Sequence, residues 1–314
     1  MKPFLHAFGR FASSWTGTFV IVLFLIFFVA QSFVIPSGSM KRTQLIGDFL
    51  FAKKFSYGIP IPHLPWLEIP LVPDFNDNGH LIEGDRPERA DIVIFRYPKN
   101  NAIHYVKRCV AVGGDEVLYG EKKLMIHFHE GDEYIKANYP KESIVTLYDK
   151  LWVVNPYMLT IPGIQYVPEG NTGYEYLTAA YNYNKEIDMS IRRFTHPDGK
   201  EEHLFYKKVE PDHFYMVGDN RDNSNDSRFW GSVPYKLVVG QPWLTYMSIE
   251  FRSYEQVFDG IGGGRDHDKL DRICGDIDFA SKECESLWNK QRYTIRWGRV
   301  GRLLTSLEKE QPIE

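Results

Sequence analysis

The chain begins with its longest run of apolar residues and then turns abruptly polar. Residues 19–30 read FVIVLFLIFFVA without interruption, and apolar positions recur as far as Ile35. The segment from Trp15 to Ile35 would measure about 30 Å as a helix, which matches the hydrocarbon thickness of a bilayer. The pattern therefore predicts one transmembrane helix over residues 15–35.

The flanks of this segment bear on its orientation and on whether it is kept. Lys2 and Arg10 lie before it and favour a short cytoplasmic N-terminus over residues 1–14. A cleavable signal peptide is the alternative, because the strictly apolar core has signal-peptide length and Ala30 is a small residue near its end. The further apolar residues FVI (33–35) favour a retained anchor.

Beyond the apolar run, short stretches of β-branched and aromatic residues alternate with turn signals. Hydrophobic residues make up 43% of the chain and aromatic residues 15%, which is enough for a packed core. Strands are predicted at residues 91–98, 103–112, 116–119, 124–128, 213–217 and 240–251. The predicted units are a β core over 36–119 and 206–251, an inserted β-rich subdomain over 120–205, and a C-terminal loop and helical extension over 252–314, with one helix near 279–290.

Five prolines interrupt the bulky apolar residues of 58–73, GIPIPHLPWLEIPLVP. Such a stretch is incompatible with a helix or a central strand. It is interpreted either as an extended loop over the core or as an apolar rim that rests on lipid, with Trp66 and Leu67 at its tips.

Charge and cysteine content limit the function classes further. The net charge of −4 is small and the basic residues are dispersed, so no nucleic-acid partner is predicted. Cys274 and Cys284 could close a small disulfide loop in an oxidising compartment, which would leave Cys109 as a free thiol.

No metal or cofactor motif is found in the sequence. It has no HExxH and no paired CxxC, and GIGGG (260–264) is not followed by the Lys-Ser/Thr of a phosphate loop. A calcium loop beginning at Asp222 would carry Ser227 in place of the glycine and Val233 in place of the final glutamate.

The remaining candidates for chemistry are the serines of PSGSM (36–40), just after the apolar run. A serine hydroxyl is a poor nucleophile unless a neighbouring base takes its proton. His104 is one candidate base. Lys107 is another, because in a strand it shares a face with Tyr105 and Cys109, where burial would lower its pKa. The pattern also allows Lys107 to extend into solvent.

Several sequence boxes follow the apolar run in a fixed order. They are IPSGSM (35–40), LIGDFLFAKKFSYG (45–58), GDRPERADIVIFR (84–96), YVKR (105–108) and GDNRDNSNDSRFWG (218–231). Together they resemble bacterial signal peptidase I, the membrane-anchored Ser/Lys protease of protein export. The resemblance covers about 33–120 and 206–250. It implies a mainly β fold, in which an antiparallel β catalytic core with an inserted β-rich subdomain is preceded by one transmembrane helix.

The resemblance also implies a role for each matched side chain. Ser39 would be the nucleophile and Lys107, as a neutral amine, its general base. The Ser39 backbone N–H and the Ser37 hydroxyl would form the oxyanion hole, and Ser224 would orient the lysine. The other assignments are a structural ion pair, Asp226 and Arg228, and a pocket for small substrate residues, lined by Ile35, Pro36, Met40, Tyr105 and Val106.

The sequence departs from the family pattern at several positions. Arg42 replaces a proline and Gln44 a leucine that helps to line the small-residue pocket, so the pocket shape is left open. Ala90 and Ala111 replace glycines. Since alanine does not readily adopt positive φ, both turns are expected to differ slightly from those of the family.

The predicted function is removal of N-terminal signal peptides from exported preproteins, with cleavage after small residues of the Ala-X-Ala type. The implied location is the inner (cytoplasmic) membrane, single-pass, with the catalytic domain on the extracytoplasmic, periplasmic side. The implied partners are signal peptides, membrane phospholipid and the translocation machinery. The alternatives are a dedicated Ser/Lys peptidase for one secreted or pilus substrate, and an inactive membrane-anchored β scaffold.

Overall fold

A computed structural model describes residues 9–24, 30–64, 69–167, 172–183, 185–195, 199, 201–251 and 293–310. Its helices are α1 (Trp15–Phe24), α2 (Asp132–Asn138), α3 (Gly173–Asn182), α4 (Ser227–Trp230) and α5 (Leu304–Leu307). Its strands are β1 (Ala30–Val34), β2 (Asp48–Lys53), β3 (Gly58–Pro60), β4 (His63–Leu64), β5 (Ile69–Pro70), β6 (His80–Glu83), β7 (Ile92–Tyr97), β8 (Asn100–Val112), β9 (Glu116–Gly120), β10 (Lys123–His127), β11 (Ile144–Leu147), β12 (Lys150–Val154), β13 (Ser190–Thr195), β14 (Glu201–Lys208), β15 (His213–Val217), β16 (Val233–Pro234), β17 (Val238–Phe251), β18 (Tyr293–Ile295) and β19 (Arg302–Leu303).

Antiparallel sheets dominate the described chain, so the predicted mainly β fold is confirmed. The larger sheet has the order β1-β2-β17-β7-β8-β15-β16, with β18 and β19 also paired to β17. The second sheet has the order β11-β12-β10-β9-β14-β13. Strand β7, IVIFRY, is almost wholly buried, as its uninterrupted apolar pattern predicts for a central strand.

The end of the N-terminal apolar run belongs to the larger sheet. Strand β1 pairs antiparallel with β2, and Phe33 lies opposite Leu50. Ile35 is buried with Leu50 and Val239, among others. The prediction that a helix continues to Ile35 is therefore wrong, because residues 30–34 form a strand and Phe33 and Ile35 pack against the protein core. No helix within the described ranges is both long enough and apolar enough to cross a membrane.

The second sheet is built from the inserted segment together with its flanks. The flanking strands are β9, before the segment, and β14, at its end. These two strands pair with each other, and Phe205 of β14 lies opposite Tyr119 of β9. The segment also contains helices α2 and α3, which the β-rich prediction did not include. Helix α3 begins at a capping box, in which the Thr172 hydroxyl accepts from the Glu175 N–H and the Glu175 carboxylate accepts from the Thr172 N–H.

The proline-rich segment contributes short paired strands at the periphery. Strand β3 pairs with β6, and β4 pairs with β5. The tips proposed for lipid contact, Trp66 and Leu67, lie outside the described residues, as do Cys274, Cys284 and the predicted helix near 279–290.

Residues 293–310, the described part of the predicted C-terminal extension, pack on the larger sheet. Strands β18 and β19 pair with β17. The Arg299 guanidinium donates to the Asp48 carboxylate at 2.6 Å and to the Thr43 carbonyl at 3.0 Å. These contacts brace the loop that follows the PSGSM segment.

Two of the departures from the family pattern have a clear conformational basis. Arg42 has φ 84°, a backbone conformation that proline does not adopt, so a proline could not occupy this turn. Ala90 has φ 77° and thus carries the strain expected for a glycine position. Ala111 lies inside β8 opposite Tyr215, so the expectation of a turn there is wrong.

Replacing Ala90 with glycine is expected to raise the free energy of unfolding by about 1 kcal/mol, since glycine adopts positive φ without a Cβ clash. Ala111→Gly is the matched control, and it should lower the same quantity by about 1 kcal/mol because Ala111 is a buried strand residue. Urea denaturation measures both. A lower stability for Ala90→Gly would contradict the assignment of strain.

Candidate active site

Ser39, the second serine of the PSGSM segment, lies on a tight turn that is fixed by the larger sheet. A 3₁₀ turn covers Gly38–Met40. The Ile35 N–H donates to the Asp48 carbonyl, and the Gly47 N–H donates back to the Ile35 carbonyl, both at 2.9 Å. The turn therefore holds Ser39, which is only 9% exposed, at the floor of a cleft.

Lys107 reaches this serine from strand β8. Its Nζ lies 2.6 Å from the Ser39 Oγ and also donates to the Val106 carbonyl at 3.1 Å. The lysine side chain is 4% exposed. Burial lowers the pKa of Lys107 to about 8, although the nearby carboxylates of Asp226 and Asp219 act in the opposite direction. A lysine with this pKa is partly neutral near neutral pH and can accept a proton.

His104 does not occupy the position of a base for Ser39. It lines the same cleft, and its ring packs against Phe33 with the centroids 5.3 Å apart. Burial, aided by the positive charges of Arg96 and Lys54, lowers the His104 pKa to about 4. The side chain that contacts the Ser39 hydroxyl from β8 is Lys107.

The loop after β15 holds the serine turn from the other side. The Asn220 N–H donates to the Ser39 carbonyl at 3.0 Å, and its side-chain amide donates to the Gly38 carbonyl at 3.0 Å. The Ser37 hydroxyl is exposed and lies 3.5 Å from the Ser39 Oγ, at the limit of a hydrogen bond. Asn220 thereby fixes the peptides whose orientation an oxyanion hole would require.

The residues of the last box contact one another more than they contact the lysine. Arg228 and Asp226 form a bidentate ion pair, with both bonds at 2.8 Å and both side chains fully buried. The Ser224 hydroxyl is buried but makes no hydrogen bond of standard geometry, to Lys107 or to any other described residue. Burial alone would raise the pKa of the Asp226 carboxyl, but the Arg228 charge lowers it below its usual value. The Ser224 hydroxyl lies close enough to Asp226 to contribute to this lowering.

A second buried ion pair, which the sequence interpretation missed, links the three segments of the site. Arg108 directly follows Lys107 and binds the Asp219 carboxylate with bonds of 2.7 and 2.8 Å. The Thr43 hydroxyl donates to the same carboxylate at 2.6 Å. Burial alone would raise the Asp219 pKa, but Arg108 and Thr43 hold it below its usual value. The sequence offered one signal for this role of Asp219, since the residue lies in the GDN (218–220) that opens the last box.

The cleft above the serine has a volume of about 380 Å³. Its lining includes every residue predicted for the substrate pocket, namely Ile35, Pro36, Met40, Tyr105 and Val106, together with Gln44. Within the described chain, the edge of β8 that faces β15 is paired only over residues 108–112, and β1 pairs only with β2. The cleft thus runs between two strand edges that retain unpaired backbone groups, and an extended peptide can add to such edges.

A group of potential metal ligands lies away from the cleft, and an arginine side chain already balances its negative charge. Asp115, His129 and Glu130 converge within metal-binding distance. The Arg89 guanidinium lies among them, 2.7 Å from Asp115 and 2.8 Å from Glu130. This cluster is therefore a structural ion-pair network of the chain itself.

Comparisons with known proteins give a consistent result. A family model described as signal peptidase, peptidase S26, matches residues 9–247. Proteins named signal peptidase I from two strains of Helicobacter pylori are 43% identical over 310 residues, covering 98% of this chain and 96% of theirs. A signal peptidase I from Buchnera aphidicola is 33% identical over 270 residues, covering 79% of this chain and 78% of the relative.

Proposed function

Because this chain belongs to the signal peptidase family, peptidase S26, we propose that it removes signal peptides by means of a catalytic dyad of Ser39 and Lys107. The observation that carries the proposal is the buried contact of 2.6 Å between Lys107 Nζ and Ser39 Oγ. Burial supplies the neutral amine that the reaction needs, because it disfavours the ammonium form.

In the proposed reaction, the neutral Lys107 amine takes the Ser39 proton as the serine oxygen attacks the carbonyl carbon of the scissile peptide bond. The resulting oxyanion accepts from the Ser39 N–H and the Ser37 hydroxyl. The lysine then gives its proton to the leaving amine, which departs as the new N-terminus of the mature protein. A water molecule then gives a proton to the same lysine and attacks the acyl-enzyme carbonyl. The lysine returns that proton to the Ser39 oxygen as the ester bond breaks, and the signal peptide leaves with a new C-terminal carboxyl group.

The substrate is proposed to bind as an extended strand between β1 and β8. Backbone hydrogen bonds to the unpaired edges would hold it without regard to sequence, and specificity would come from the pockets. Ile35, Met40 and Val106 line the cleft next to the nucleophile. Their bulk favours small side chains, such as those of an Ala-X-Ala site.

We place the protein in the inner membrane through its N-terminal apolar segment, with the catalytic domain on the extracytoplasmic side. Support comes from the apolar run of residues 19–30 and from the basic residues Lys2 and Arg10 before it. Phospholipid and the translocation machinery are the proposed neighbours, since signal peptides present their cleavage sites close to a membrane.

The pH dependence of cleavage follows from the state of Lys107. Since the amine is active only when neutral, kcat/KM is expected to rise with pH through an apparent pKa of about 8 and to level off above it. A peptide assay between pH 6 and 10 measures this profile, with unfolding followed in parallel. A flat profile across this range would contradict the assignment of the base, because a base that titrates with a pKa of about 4, as His104 does, is already fully deprotonated at pH 6.

The breadth of the activity is tested with purified protein in detergent and phospholipid, using several unrelated preproteins. A general signal peptidase is expected to process all that carry an Ala-X-Ala site, while Ser39→Ala processes none. Cleavage of one preprotein alone would favour the dedicated processing peptidase, and cleavage of none would contradict the proposal.

A further inference from the structure

Gln44 is a buried polar residue in the wall of the substrate cleft. Its side chain is 1% exposed. Neither its amide oxygen nor its amide nitrogen has a hydrogen-bond partner among the described residues. It lines the same cleft as Ser39 and Met40, and its backbone N–H donates to the Met40 carbonyl at 2.8 Å.

An unpaired amide in such a position is costly for the free protein. Burial removes the water that would satisfy the donor and the acceptor, and native proteins pair the large majority of such groups. Neighbouring polar side chains that hold the serine turn are paired, Thr43 with Asp219 and Asn220 with Gly38, whereas both polar atoms of the Gln44 amide lack a partner among the described residues. The Gln44 amide is thus set apart by its open bonding capacity and by its place in the cleft.

We propose that the Gln44 side-chain amide hydrogen-bonds a hydroxyl on the substrate residue just before the scissile bond, so that the enzyme selects serine there over an apolar residue of equal size. This inference rests on the proposed function. The carbonyl of that substrate residue is the group that Ser39 attacks, so its side chain must lie beside the serine turn. The backbone bond from Gln44 to Met40, the residue after Ser39, fixes the amide at this turn.

The chemistry of the amide fits a hydroxyl well. A glutamine offers both a donor and an acceptor, and a serine hydroxyl can satisfy either of them. A site that hydrogen-bonds a substrate hydroxyl discriminates against the analogue without it, because the polar group of the site then stays unpaired. The bulky neighbours Ile35 and Val106 keep the pocket small, which favours serine over larger polar residues.

The test uses three peptides that differ only at the position before the scissile bond, with alanine, serine or α-aminobutyrate, the apolar isostere of serine. For the unaltered enzyme, kcat/KM for the serine peptide is expected to exceed that for the α-aminobutyrate peptide by about tenfold. In Gln44→Leu the ratio should fall to about one or below. Gln241→Leu, at a partly exposed glutamine on β17, is the matched control and should keep the ratio of the unaltered enzyme.

The outcomes separate this inference from the proposed function. Suppose that both enzymes cut the peptides and that the ratio of kcat/KM for the serine and α-aminobutyrate peptides is the same in Gln44→Leu as in the unaltered enzyme. The inference is then overturned, and the peptidase assignment stands. A second set of peptides carries the same three residues at the position three residues before the cut, and a Gln44-dependent serine preference found only in that set would overturn the inference. Cleavage of none of the peptides would contradict the proposed function itself.

Thermal unfolding of the free protein gives a readout that does not depend on activity. Gln44→Leu removes an unpaired buried amide, so its unfolding midpoint is expected to rise by about 2–4 °C. A lower midpoint would mean that the amide is satisfied within the protein, and that result would overturn the inference.

Discussion

Replacement of Lys107 with methionine is expected to lower kcat/KM for peptide cleavage by a factor of about 10⁴, at the upper end for removal of a general base. Methionine has a similar length and suits a buried site, so the fold should be retained. The loss follows because Lys107 is the only basic side chain among the described residues that contacts the Ser39 hydroxyl. Steady-state cleavage of a peptide with an Ala-X-Ala site measures the effect.

A matched substitution separates this effect from a general loss of lysine. Lys208 is exposed on β14 of the second sheet, so Lys208→Met should leave kcat/KM close to that of the unaltered enzyme. Circular dichroism and unfolding midpoints check that both variants fold. A Lys107→Met variant that folds and retains most of the activity would require another base.

The second large effect is expected at the buried ion pair beside the site. Asp219→Asn would remove the buried charged partner of the Arg108 guanidinium, which is 1% exposed, and leave only the partly exposed Glu308 carboxylate at 3.2 Å. Breaking a buried pair in this way costs about 3–5 kcal/mol in the free energy of unfolding. Urea denaturation measures it, and cleavage should also weaken because Thr43 and Arg108 would have to share the single amide oxygen of asparagine.

Asp212→Asn is the control for this prediction. Asp212 pairs with Arg86 at 2.6 Å, but its side chain is 51% exposed, so the loss should be at most about 1 kcal/mol. Replacing both members of the buried pair, as Arg108→Met with Asp219→Leu, should recover part of the stability, since neither fully buried charge of the pair remains and Glu308 is partly exposed. Equal losses for Asp219→Asn and Asp212→Asn would contradict the structural role of the buried pair.

Much of the fold could be predicted from the pattern of apolar residues. Strand β15 has the bounds that the pattern predicted, and β7 and β8 differ from their predicted bounds by only a few residues. Such strands are encoded locally, by β-branched and aromatic residues between turn signals. The family assignment drawn from the sequence boxes is confirmed by the comparisons.

The errors arise where tertiary packing overrides the local pattern. Apolar residues 33–35 continue the apolar run and therefore predict a membrane end, but the packing of Phe33 and Ile35 near Leu50 and Val239 accounts for two of them equally well. No periodicity distinguishes these environments in so short a stretch. Helix α3, in contrast, had a signal that was overlooked, since Thr172 and Glu175 have capping-box spacing.

The candidate site was predictable in its members but not in its full set of contacts. Alternation along β8 placed Lys107 on an apolar face, yet only the fold shows that this face meets Ser39. The supports given by Asn220 and Asp219 join residues far apart in the chain, and single-sequence patterns do not encode such pairings. The lysine-orienting role of Ser224 stays a prediction, because its hydroxyl makes no standard hydrogen bond to Lys107 in this structure.

The central claim is that Lys107 activates Ser39 for the removal of signal peptides. It is tested most directly by incubating a purified preprotein carrying an Ala-X-Ala site with the enzyme and determining the N-terminus of the product by mass spectrometry. We predict that the unaltered enzyme releases a mature protein beginning just after the second alanine, and that Ser39→Ala and Lys107→Ala, both folded, release none. An uncut preprotein with the unaltered enzyme, or normal processing by Lys107→Ala, would contradict the claim.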